Sequence, residues 1–471
     1  MEIMRKDNSI RWGQLALIVV TATLGGLLFG FDTAVISGTI SFVKEQFAMG
    51  SLMEGWFVSS ALLGCIIGVV ISGKLGNNWG RKKVMLISAA LFAISAFGCA
   101  YSPDSFSLIS FRLTGGLGIG MASVICPMYI AEIAPSHLRG KLVTYYQLAI
   151  TVGILLAYFS NTVIQTGVKT TFTNEGWMHL IFSTQVWRAM FAVGIIPAII
   201  FLLMVLLVPE SPRWLALKKR NPEAEKVLFK ISGAEHAKSE LDVIQDSLKT
   251  TSNKRPADLF KGNMKKPLFI GILLAALSQF SGINAIIYYG PTILEKAGFQ
   301  LGDALGGQVT IGIVNTLFTF VAIYFIDKIG RKPLLLWGIG GAILSLLLAA
   351  VVFAANISNA WFVLIPVILF TACFSFSFGP VTWVIISEIF PTNYRSEAVA
   401  ISTMSLWVAN WIVGQFFPVL LHGAGASVTF LVFAVFSAYA FYITWKKIPE
   451  TRGKSLEEIE RFWQLDNAHT L

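Results

Sequence analysis

The chain has 471 residues, 55% of them hydrophobic and only 13% charged, with a formal net charge of +10. Soluble domains carry about 25% charged residues, so a water-soluble globular enzyme is excluded, and the apolar runs lack the alternation of barrel strands. Nucleic acid is excluded as the partner of the basic excess by where the charges fall, between apolar runs and mostly on one side of them.

Twelve runs are long enough to cross a hydrocarbon layer roughly 30 Å thick. They cover 12–40, 55–77, 84–101, 107–131, 141–162, 187–208, 267–290, 305–327, 333–355, 361–387, 397–421 and 427–446. The first is too long for a cleavable leader and has no small-residue cleavage site, so it is read as a retained helix. Of the 36 Lys and Arg, only Lys44, Lys169, Lys296, Arg112 and Arg188 fall in outer loops or near outer helix ends. Positive charge stays inside, which predicts both termini in the cytoplasm. The four cysteines lie in apolar runs without metal or pairing spacing, and the five histidines are scattered singly. No metal site and no cofactor are expected.

The first span holds the stretch FGFDTAVISG, with Asp32 as the single charge between Trp12 and Val43. Burying a carboxylate in hydrocarbon costs about 2.5–3.5 kcal/mol on the milder insertion scale, so a partner is expected. Asp32 lies about 20 residues, or roughly 30 Å, into the first helix. Arg112, near the outer start of the fourth span, lies at comparable depth. At an effective dielectric near 20, contact ions attract by about 4 kcal/mol, which offsets much of the burial cost.

The polar segment 209–266 separates two halves, 1–208 and 267–446, and 447–471 forms a tail. Opposite-charge spacing at 223–230 and 240–249 predicts short helices in the linker. The halves repeat each other. WGRKK at 79–83 is answered by IGRKP at 329–333, AEIAPSHLR at 131–139 by SEIFPTNYR at 387–395, and PESPR at 209–213 by PETRG at 449–453. Six-plus-six duplication is a transporter architecture with the substrate held near the midplane.

These motifs, with GGLLFGFDTAVISG, RLTGGLGIG, QFSGINAIIYY and GPVTWVIISEIFP, resemble the sugar porter branch of the major facilitator superfamily. Within it they are most similar to bacterial proton-coupled pentose and hexose symporters. The resemblance runs from about 25 to 460 and implies an all-α polytopic membrane protein of twelve helices in two six-helix halves with a cytoplasmic helical linker. It implies a monomer in the inner (plasma) membrane that moves a monosaccharide inward with protons by alternating access. Facilitated diffusion of the same solute is the alternative, and a transporter-like sugar sensor, which is associated with a longer tail than that after Gly453, the less favoured one.

By this resemblance Asp32 and Arg112 couple protons, and Asp32 favours symport, because facilitative relatives are uncharged there. Phe29, Gln147, Gln279, Asn284, Tyr289, Asn315, Trp383, Trp407 and Asn410 are the expected sugar contacts. Amides pair with hydroxyls and aromatic faces cover C–H groups. Arg81, Glu132 and Arg139, and their counterparts Arg331, Glu388 and Arg395, are the expected cytoplasmic gate. Asn77 stands where the wider superfamily often has Asp, a change that sugar porters commonly share; the chain departs from the family pattern at Ser396 and Glu397 after Arg395, at Ser278 where Gln is usual, and at Leu406 where Asn or Gln is common.

Overall fold

The computed structural model describes residues 11–135, 138–167, 184–249, 265–355, 357, 361–390, 395–452, 458–459 and 463. Among them are twelve helical stretches long and apolar enough to cross a membrane. The expected all-α fold class is what the structure has. The first five spans are α1 (Trp12–Gln46), α2 (Ser51–Trp79), α3 (Arg81–Tyr101), α4 (Ser105–Ile133) and α5 (Arg139–Gly167). The sixth is two pieces, α6 (Val186–Val193) and α7 (Ile195–Leu207), meeting at Gly194.

The linker forms α8 (Pro212–Leu217), α9 (Asn221–Ser232) and α10 (Ala234–Lys249). The first of these was not evident from charge spacing. Ser211 caps it by accepting from the Trp214 N–H at 3.2 Å, with Pro212 following. That is a standard helix start, in which the missing proline donor costs nothing.

The second half contains α11 (Lys265–Phe280), α12 (Ile283–Lys296), α13 (Leu301–Ile329), α14 (Arg331–Ala354), α15 (Trp361–Phe376), α16 (Phe378–Glu388), α17 (Arg395–Gly423) and α18 (Gly425–Lys447). Like the sixth, two spans of this half read as continuous in the sequence are broken. The seventh breaks at Gly282, where φ is +93°. The tenth breaks at Ser377. Near the first break Pro291 cannot donate to the Ile287 carbonyl, four residues back. That oxygen instead accepts from the Tyr158 hydroxyl at 3.0 Å.

The residues group into two compact units. One comprises Met1–Asp32, Gly64–Ile154 and Phe191–Asn253; the other comprises Thr33–Leu63, Leu155–Met190 and Lys254–Leu471. In the first, α3 packs along α4 and α7. In the second, α11, α14, α16 and α18 enclose a core that includes Leu274, Ile339, Phe378 and Ile385. The second unit also takes in the ends of α1, α2 and α5 that the sequence predicts to face outward.

Candidate functional site

Asp32 and Arg112 meet inside the first unit. An Arg112 Nη1 donates to Asp32 Oδ2 at 3.0 Å and to the Asp32 carbonyl oxygen at 3.2 Å. The arginine side chain is 2% exposed and the acid 13%. The Phe191 ring lies under the guanidinium at 5.8 Å, and Arg112 Nε is buried without a hydrogen bond. A one-point contact with an unsatisfied donor is looser than the bidentate fork that arginine makes with carboxylates elsewhere. Protonating Asp32 therefore removes the attraction while leaving Arg112 a carbonyl and an aromatic face.

The expected sugar contacts fall in both units. In the first, Phe29 on α1 and Gln147 on α5 are half-buried on neighbouring helices. These helices touch backbone to backbone, because a Cβ at Gly30 would lie 2.0 Å from the Ile150 carbonyl oxygen. In the second unit the amides are tied into short hydrogen-bond chains. Gln279 Nε2 donates to Ser278 Oγ at 3.0 Å, and Asn284 Nδ2 donates to Gln279 Oε1. Ser375 Oγ donates to Asn315 Oδ1 at 2.7 Å. Asn410 shares hydrogen bonds with the Tyr288 hydroxyl at 3.0 and 3.2 Å. Trp407 is buried, whereas Trp383 is 39% exposed. Tyr289 is fully buried, and its hydroxyl donates to the Gly414 carbonyl of α17 at 2.7 Å.

The duplicated charge motifs form two matching clusters, one per unit. Arg81 forks onto Glu132 at 2.7 and 2.8 Å. Arg331 forks onto Glu388 at 3.1 and 3.3 Å. Arg139 is exposed at the start of α5 and makes no ion pair with Glu132. The side chain of Arg395 lies outside the described residues.

Each glutamate is also bound by a residue of the repeated PESPR and PETRG motifs. Ser211 Oγ donates to Glu132 Oε2 at 2.5 Å, and Thr451 Oγ donates to Glu388 Oε2 at 2.5 Å. Next to them, Glu210 accepts from the Arg81 N–H at 2.9 Å and the Lys82 N–H at 3.2 Å. Glu450 accepts from the Arg331 N–H at 3.1 Å and the Lys332 N–H at 3.0 Å. Each acid thus covers the first turn of a helix, where free N–H groups and the dipole favour an anion. Burial raises the Glu210 carboxyl above its usual range, while the N–H groups of Ser211, Lys82 and Arg81 pull it back. The signal was present in the sequence, since PE-Ser and PE-Thr recur after the sixth and twelfth spans.

Another cluster was not anticipated. At the predicted outer end of the second unit, Lys44 Nζ lies 2.6 Å from Glu54 Oε2 and 3.2 Å from His422 Nε2. Glu54 is 1% exposed. Nearby, Ser59 Oγ donates to Gln415 Oε1 at 2.7 Å, and Gln415 Nε2 donates to the Leu52 carbonyl at 3.1 Å. These contacts fasten α1 and α2 to α17. Glu54, beside the apolar second span, was the available clue.

With this geometry in hand, the known proteins are informative. The family model described as "Sugar (and other) transporter" matches residues 18–463. The arabinose-proton symporter of Bacillus subtilis (strain 168) is 43% identical over 451 residues, covering 96% of this chain and 95% of that protein. The D-xylose-proton symporter of Escherichia coli (strain K12) is 36% identical, covering 96% of each. A partially occluded inward open structure of the xylose transporter XylE from E. coli superposes with a TM-score of 0.82 at 34% identity, covering 94% of this chain and 100% of that one. Duplicated loops, broken spans and a match along almost the whole length lead to one conclusion: the chain belongs to the sugar (and other) transporter family of the major facilitator superfamily.

Proposed function

We propose that this protein is a proton-coupled symporter that carries a monosaccharide, a pentose or hexose, into the cell by alternating access. The observation that carries the reading is the buried Asp32–Arg112 pair, a titratable acid held by one hydrogen bond to one cation in a membrane span. A protonatable acid whose charge state changes what holds a helix pair is what coupling a proton to a rearrangement requires. The arabinose and xylose proton symporters among its relatives support the same assignment. Phe29, Gln147, Gln279, Asn284, Asn315, Trp383, Trp407 and Asn410 bind the sugar, with Tyr289 at its outer side. The two Arg–Glu clusters, with Ser211 and Thr451, latch the cytoplasmic side. The protein works as a monomer in the inner membrane with both termini in the cytoplasm.

Uptake into proteoliposomes tests this, using a panel of pentoses and hexoses with and without an imposed pH gradient. Accumulation above the external concentration, driven by the gradient, is the expected result. Equilibration that ignores the gradient would instead identify a facilitative carrier.

A further inference from the structure

Ser278 sits beside two proposed sugar contacts without being one. Its hydroxyl donates to the Ala275 carbonyl at 2.7 Å, one helical turn back. A serine hydroxyl carries a single hydrogen, so the same oxygen meets the Gln279 amide only as an acceptor. The Gln279 group facing it must then be the NH2, as found at 3.0 Å. That turns Gln279 Oε1 toward Asn284, which must answer with its own NH2. The chain of donation runs Asn284, Gln279, Ser278, Ala275. The opposite arrangement, with both amides flipped and Ser278 donating to Gln279, would abandon the bond to Ala275 and keep two hydrogen bonds in place of three.

The consequence falls on the half-buried Asn284. Its Nδ2 is already engaged, while its Oδ1 makes no hydrogen bond among the described residues. We infer that Ser278 is a specificity-determining positioning residue. It fixes the donor–acceptor polarity of the Gln279–Asn284 pair, so that Asn284 offers a carbonyl to a sugar hydroxyl that must donate. This rests on the proposed reading that Gln279 and Asn284 bind sugar. Without the hydroxyl, the two amides are free to exchange their ends, and the site tolerates either polarity at that position.

The test uses the purified full chain, arabinose and D-xylose, and their monodeoxy and monodeoxyfluoro analogues, with Kd read by calorimetry. Fluorine accepts weakly and cannot donate. In the wild-type protein, one ring position is expected at which the fluoro analogue binds no better than the deoxy one. In Ser278→Ala the fluoro analogue at that position should gain on the deoxy analogue by roughly two- to threefold, the lower end of what one neutral hydrogen bond is worth because fluorine accepts weakly. Ser278→Thr keeps the hydroxyl and should behave as wild type. If Ser278→Ala leaves the fluoro-to-deoxy ratio unchanged at every position, or Ser278→Thr shifts it as alanine does, the inference is overturned. Failure of the underlying reading shows differently: Gln279→Ala and Asn284→Ala would then leave the Kd of the parent sugars unchanged.

Discussion

Replacing Asp32 with Asn is expected to separate coupling from transport. At 3.0 Å and an effective dielectric near 20, the charged pair attracts by about 5 kcal/mol. After neutralisation Arg112 keeps the Asp32 backbone carbonyl at 3.2 Å and the Phe191 ring at 5.8 Å. The neutral side chain still accepts a hydrogen bond from the cation, worth about 2 kcal/mol, while the Phe191 contact and the backbone bond are the same in both charge states. The two charge states of Asp32 then differ by about 3 kcal/mol in how firmly α1 holds α4, which moves a two-state equilibrium roughly a hundredfold. Asn is isosteric with the protonated acid and its carbonyl still accepts from Arg112, so the fold should survive. In proteoliposomes, Asp32→Asn is expected to lose gradient-driven accumulation while counterflow exchange of sugar persists. Accumulation at the wild-type level would refute the reasoning. So would joint loss of exchange and binding, since the acid would then be serving the fold or the sugar.

Gly80→Ala and Gly330→Ala should each lower thermal stability by about 1–3 kcal/mol, because φ is +96° and +109° there and a Cβ would lie 2.1 and 2.8 Å from a glutamate oxygen. A thermal-shift assay in detergent checks this, and the larger loss should fall on Gly80. Neutralising Glu132 and Glu388 together to Gln should weaken the cytoplasmic latch and shorten the lifetime of the outward-facing form. Distances between spin labels on the cytoplasmic helix ends report it, and wild-type distances in the double variant would leave these charges with topology alone to explain them. Glu54→Gln strands Lys44, which is itself a third exposed, so its cost is about 1–3 kcal/mol after screening. A cysteine placed at Ser59 should then react faster with a membrane-impermeant maleimide, and an unchanged rate would show that the cluster does not hold the outer end. Trp383→Ala should raise the sugar Kd about tenfold through lost stacking area, measured by calorimetry.

What the sequence disclosed depended on how unusual each residue is in its setting. Asp32 is conspicuous because an acid in hydrocarbon demands an answer, and few cations lie at its depth. Its partner Arg112 was therefore legible before any coordinates. The Arg81–Glu132 and Arg331–Glu388 pairs were legible because each half states them once. Arg139 was named with them by the family resemblance, and in the structure it begins a new helix and is exposed. The break at Gly282 was hidden within a run that is apolar on both sides, where hydropathy is blind to a positive φ.

The amides posed the hardest problem, and it is a physical one. An intramembrane Asn or Gln can pair with a neighbouring helix or with a ligand, and both uses demand the same residue type in the same kind of run. Only coordinates reveal that Gln279 is bracketed by Ser278 and Asn284, and that Asn315 is held by Ser375. Sequence position makes Ser278 look like a lost sugar contact. Its geometry makes it the residue that decides which end of each neighbouring amide is left for the sugar, because a hydroxyl that has already given its one hydrogen can only receive.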